Sequence, residues 1–95
     1  MAHLRIIKRH HLSHRKAREA AEHVAKDLNE RFGLVYEWSG DCIDFKRAGL
    51  DGKLHVLKDQ VRLDCELGFV MSVFKPKLEA AIHGEFDKYF GKSKT

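Results

Sequence analysis

Val61-Arg62-Leu63-Asp64-Cys65-Glu66-Leu67 sets apolar and charged residues in strict alternation. A period of two marks a β-strand with one dry face and one wet face. The segments before it keep the same parity. Residues 53–57 read as a strand with Leu54 and Val56 inward, joined to residues 61–67 across Lys58-Asp59-Gln60. Residues 42–46 carry Ile43 and Phe45, residues 34–39 carry Tyr36 and Trp38, and Ser39-Gly40-Asp41 turns between them. Ala48-Gly49-Leu50-Asp51-Gly52, with its two glycines, reads as a loop. Residues 3–10 read as a further strand whose apolar content is Leu4, Ile6 and Ile7.

Two segments change period from 2 to 3.6. Ala17, Ala21, Val24, Ala25, Leu28 and Phe32 form one helical stripe, with Ser13 as N-cap and Gly33 as the left-handed stop. Phe74, Leu78, Ala81, Ile82, Phe86 and Phe90 form the other. That helix begins near Pro76, which suits a first turn, and stops at Gly91, leaving residues 91–95 as a frayed tail. A sheet that is apolar on one face needs one covering layer, and two helices supply it. The expected fold is an α+β two-layer sandwich in a single domain spanning residues 1–95. Its order is β-α-β-β-β-β-α, with an antiparallel sheet of four to five strands and both helices on one face.

Composition narrows the function classes. The chain is 43% hydrophobic and 34% charged, as in a globular domain, and no apolar run approaches the roughly 20 residues of a bilayer span. The N-terminus lacks a signal-peptide core, so a cytoplasmic location is expected. Cys65 shares the inward parity and Cys42 the outward one, which places them on opposite faces as free thiols. Net charge is +4 and is concentrated at the N-terminus: Arg5, Lys8, Arg9, Arg15, Lys16 and Arg18 precede the first acid. A sheet that reads RNA stacks bases on aromatics of its open face. Here Tyr36, Trp38 and Phe45 share the covered face, which argues against a nucleic-acid partner.

Arg15, Lys16 and Arg18 occupy the first turns of a helix, where the macrodipole favours acids, each at a cost of about 0.3–1 kcal/mol before screening. A local rule broken without compensation points to a ligand. Backbone N–H groups there, with Ser13 and His14, make a candidate site for an anion or anionic surface; the plainer reading is solvated charge. Residues 67–74, Leu-Gly-Phe-Val-Met-Ser-Val-Phe, form the longest apolar stretch. Burial at the end of the core is the expected fate of most of it. Whatever stays exposed at Phe69, Val70 or Met71, beside Lys75 and Lys77, is a candidate apolar contact. His10-His11-x-x-His14 lacks a completing Cys, Asp or Glu, so neither a metal nor a cofactor is assigned. No nucleophile elbow, phosphate loop or dinucleotide fingerprint occurs, and the reading is non-enzymatic.

His10-x-Leu12, Ala17-Arg18, Tyr36-x-Trp38-x-Gly40-Asp41, Phe45-x-Arg47-x-Gly49, Gly52, and Leu67-Gly68 leading into the Lys75 helix entry follow one another in a distinctive order. From about residue 5 to 90 this order resembles the small bacterial family of putative polyhydroxyalkanoic acid system proteins, the granule-region family. Ser13 departs from the glycine expected after the leucine; either residue starts a helix. The resemblance implies a cytoplasmic accessory protein of polyester-storage granules and supplies no catalytic residue. Its partner would be a granule surface or a granule-associated protein, met through residues 69–74 and the basic N-terminal block. An alternative is a trimmed helix-grip domain, with Tyr36, Trp38 and Phe86 lining a pocket for an acyl-type ligand between sheet and C-terminal helix. Ninety-five residues leave little volume for such a pocket.

Overall fold

Ser13 and Gly33 delimit the first helix as the sequence requires. Ser13 is extended (φ −64°, ψ 161°), and its Oγ accepts from the Lys16 N–H at 3.2 Å, satisfying one orphan donor of the first turn. Gly33 takes φ 71° and donates its N–H to Asn29 O at 2.9 Å, a left-handed stop that a side chain would strain. The structure is a computed structural model that describes residues 2–91; of the expected tail, residues 92–95 lie outside the described residues. The elements run β1 (Ala2–Arg9), α1 (His14–Phe32), β2 (Val35–Ser39), β3 (Cys42–Arg47), β4 (Leu50–Val56) and β5 (Gln60–Leu67). A 3₁₀ turn (Met71–Phe74) then leads directly into α2 (Lys75–Phe90).

The five strands form one antiparallel sheet in the order β1-β5-β4-β3-β2. The chain starts at one edge, crosses by α1 to the other, and meanders back until β5 meets β1. Ile6 faces Leu63, Leu54 lies between Leu63 and Ile43, and Phe45 faces Tyr36. These inward residues join Ala17, Ala21, Val24, Ala25 and Leu28 of α1 and Leu78, Ile82, Phe86 and Phe90 of α2 in one core. Both helices therefore cover the same face. The stripe of α1 is mostly alanine, whereas α2 brings bulk, with Phe86 and Phe90 edge to face at 5.7 Å.

One strand assignment needs correction. Residues 50–52 are strand, not loop: the turn is confined to Ala48-Gly49, and Leu50 is buried with Arg47 and Leu67 as its ladder partners. Gly52 is a packing residue, because a Cβ there would come within 3.3 Å of the Cys65 sulfur. Ile7 points to the open face opposite Arg62, and the inward position beside it belongs to Lys8, whose Nζ meets Asp87 of α2 at 2.9 Å.

Both cysteines are free thiols. Burial pushes Cys65 up to about 11 and also raises half-buried Cys42, so neither is a ready thiolate at neutral pH. Leu63→Ala should cost about 2–5 kcal/mol in a urea titration, as a core truncation, and exposed Lys46→Ala should stay within about 0.5 kcal/mol. A cheap Leu63 substitution would mean that this face is not the covered one.

Candidate functional site

The basic helix start finds its missing acid in space. Asp41, in the β2–β3 turn, receives Arg18 Nη1 at 2.7 Å on Oδ1 and His14 Nε2 at 3.2 Å on Oδ2. Arg18 also donates to Gly40 O at 2.7 Å and lies over the Trp38 ring at 4.2 Å. Ser13 is occupied as the cap of its own helix. Of the five residues proposed as an anion site, Arg15 and Lys16 extend from the same helix end as exposed cations, while His14 and Arg18 face an internal carboxylate.

Tyr36, Trp38 and Phe86 do not share a cavity. Tyr36 Oη–H and Trp38 Nε1–H donate to the two oxygens of Glu22, at 2.7 and 2.8 Å. The Trp38 bond first, and the Tyr36 bond with it, hold the Glu22 carboxyl below its ordinary range. Phe86 is fully buried among core residues. The histidines also diverge. His10 is buried against Phe90; its Nδ1 accepts from the Leu12 N–H at 3.1 Å, which leaves Nε2 to donate to Leu57 O at 3.2 Å. His11 is exposed and His14 is on Asp41. Among the described residues no group of three His, Cys, Asp or Glu side chains is placed to hold a metal.

A hollow of about 720 Å³ lies on the open side of the sheet. Several charges in and around it are paired: Lys53 on Asp44 at 2.6 Å, Arg5 and Arg62 on Asp64 at 2.6 and 3.1 Å, and Lys46 on Asp51 at 3.3 Å.

The 69–74 segment behaves differently from the burial expected of most of it. Met71 turns inward over Gly49, whose φ of 82° and close approach leave no room for a Cβ, at 2.9 Å from Met71 Cγ. The Gly68 N–H donates to Gly49 O at 2.8 Å, and Ser72 closes the turn on Gly68 O and Phe69 O. The period of three in a 3₁₀ turn then puts Val70 and Val73 on one ridge and Met71 and Phe74 on the next. Phe69, Val70, Val73 and Phe74 are 83%, 71%, 73% and 48% exposed. Val73 and Phe74 extend the patch beyond the three residues singled out from the sequence. Behind it lies a cavity of about 330 Å³ between the end of the sheet and the two helices.

Sequence reasoning missed one site entirely. Glu85 of α2 is buried against α1, with Arg31 Nη1 at 3.3 Å from Oε2 and no donor reaching Oε1. Burial first, and then the approach of Asp27, raise its pKa, whereas Asp27 is lowered by Glu85 and by the Tyr89 hydroxyl at 2.9 Å. A proton on Glu85 turns this meeting of two acceptors into a hydrogen bond. Its only trace in the sequence is an acid on the buried side of the second helix, between Ile82 and Phe86.

With the geometry in hand, comparison with known proteins is informative at one level. The model of the family described as putative polyhydroxyalkanoic acid system protein matches residues 4–90. The chain belongs to that family. No curated protein and no solved structure matches it significantly. Membership gives this granule-region protein a role related to polyhydroxyalkanoate. No helix among its described residues is long and apolar enough to cross a membrane.

The Glu85–Asp27 pair makes pH dependence predictable. Because Glu85 titrates higher when folded than when unfolded, its contribution to stability is full below the unfolded value and drains away as pH rises through the folded one. Glu85→Gln, a neutral isostere, should therefore gain on the wild type as pH rises from about 4 to about 8, read by urea denaturation across the range. A stability difference independent of pH, or one moving the opposite way, would show that Glu85 is held charged by Arg31.

Proposed function

We propose that the chain is a non-enzymatic accessory module that lies in the cytoplasm and contacts the polyester surface of a storage granule through residues 69–74. The observation that carries this reading is the exposure of Phe69, Val70, Val73 and Phe74 on one short turn anchored by Met71, Gly49 and Gly68. Isolated exposed apolar residues are ordinary, but four within six residues form a continuous patch. Lys75 and Lys77 follow immediately and mark its border with water. A polyester chain presents aliphatic surface with ester carbonyls, so apolar side chains beside cations suit it chemically. The non-enzymatic reading is supported by where the polar groups are spent: Asp41, Glu22 and Asp64 accept from internal donors, and both thiols are raised.

The test is co-sedimentation of the purified chain with protein-free polyhydroxybutyrate particles. Burying one such side chain contributes about 1.5–3 kcal/mol, so Phe69→Ser with Val73→Ser should reduce binding at least about tenfold. Both positions are exposed, and folding should be nearly unaffected. Arg15→Glu with Lys16→Glu should leave binding unchanged. Binding unaltered by the serine pair would refute the contact. Binding to native granules but not to bare polymer would move the partner to a coat protein.

A further inference from the structure

The cavity behind the exposed turn has a composition that specifies a ligand. Leu34, Leu50 and Leu78, all buried, form its floor, and Met71 and Phe74 form its outer wall. Arg31 and Arg47 also line it. Both guanidinium groups are oriented by Phe32: Arg47 Nη1 donates to its carbonyl at 2.6 Å, and the Arg31 guanidinium carbon lies 5.5 Å from its ring centroid. Arg31 directs one nitrogen to Glu85. A guanidinium carries five N–H donors in a fixed fork, so one committed nitrogen leaves donors for a second acceptor. An apolar floor with two cations in the lining, both held on Phe32, matches a molecule that is aliphatic along its length and anionic at one end. The volume of about 330 Å³ falls within the range of small-ligand pockets, about 300–1,000 Å³.

We infer that this cavity binds a medium-length aliphatic carboxylate, with the chain on Leu34, Leu50 and Leu78 and the carboxylate on Arg47 and Arg31. The site shares Phe74 with the exposed patch but uses none of Phe69, Val70 and Val73, and it does not depend on granule contact. It occupies a different place from the Tyr36, Trp38 and Phe86 pocket expected from the sequence, because those two sheet aromatics are bound to Glu22 and Phe86 is core. A free fatty acid and the carboxyl end of a polyester chain share the required chemistry.

The experiment is a methyl-detected NMR titration of the full chain with decanoate, kept below its micellar concentration, and with methyl decanoate. Decanoate should shift the methyl groups of Leu34, Leu50, Leu78 and Met71 saturably. The ester, which lacks the charge that the arginines recognise, should bind at least about tenfold more weakly. Arg47→Gln should weaken decanoate by about the same factor and leave the ester unchanged. Equal affinity for acid and ester, shifts confined to the open sheet face, or no saturable shift would overturn the assignment. The ester comparison needs no substitution, so it stands even if Arg47→Gln fails to fold. The Phe69→Ser, Val73→Ser pair should bind decanoate as the wild type does, which separates failure of this site from failure of the granule contact. A 3-hydroxybutyrate trimer with a free carboxyl end, run in parallel, identifies the source. Tighter binding than decanoate points to the polyester end and weaker binding to a free fatty acid, and each supports a carboxylate site.

Discussion

The pairing of the first strand with the last holds this molecule in its shape. β1 and β5 match over their full lengths, from Ala2 with Leu67 to Arg9 with Gln60, although the paired residues are up to 65 positions apart in the chain. Everything between them must leave one edge of the sheet and return to it. That requirement sends α1 across the sheet and makes β2 the opposite edge. A slip of one residue would turn Leu4 and Ile6 to water and Arg5 and Ile7 into the core, so the alternation enforces the register. Closure is slow to form, because the loop entropy is spent before the contact forms, but once made it seats α2 as well. Lys8 reaches Asp87, and His10 lies on Phe90.

A core built from one sheet face and two helix stripes leaves few places for polar groups, and the chain uses each of them. Glu22 accepts from two aromatics that would otherwise bury unpaired donors. His10 joins the strand exit to the β4–β5 connection through both ring nitrogens. Glu85 is the exception, buried with one oxygen lacking a donor, and it lies where α1 and α2 meet. An unpaired buried acceptor costs about 1–3 kcal/mol, and protonation relieves that cost. The stability of the helix pair thus responds to pH through Glu85.

The 69–74 turn and the cavity behind it both follow from the way the chain enters α2. Met71 fills the space above Gly49, which anchors the turn, and a 3₁₀ turn with a period of three cannot direct all its side chains inward. Val70 and Val73 are left outside, and Phe74 lies half over the cavity. An exposed apolar ridge and an arginine-lined pocket share one wall as a consequence.

The linear chain carries most of the strands, both helices, the caps at Ser13 and Gly33 and the face each element buries. These follow from period and parity, and Ser13, Gly33 and the alternation of Val61 to Leu67 are local physical facts. It determined the family for the same reason, since ordered motifs survive in the linear chain. That Gly52 packs against Cys65 rather than bending a loop could not be read there, because the reason lies on a neighbouring strand. Asp41 was legible as a turn residue but not as the acid that balances the start of α1, since the two meet across more than twenty residues. The exposure of Phe69 and Val73, the arginine rim and the Glu85–Asp27 pair were decided in the same way. Each depends on which side chain fills a space first, and hydropathy along a chain does not contain that information.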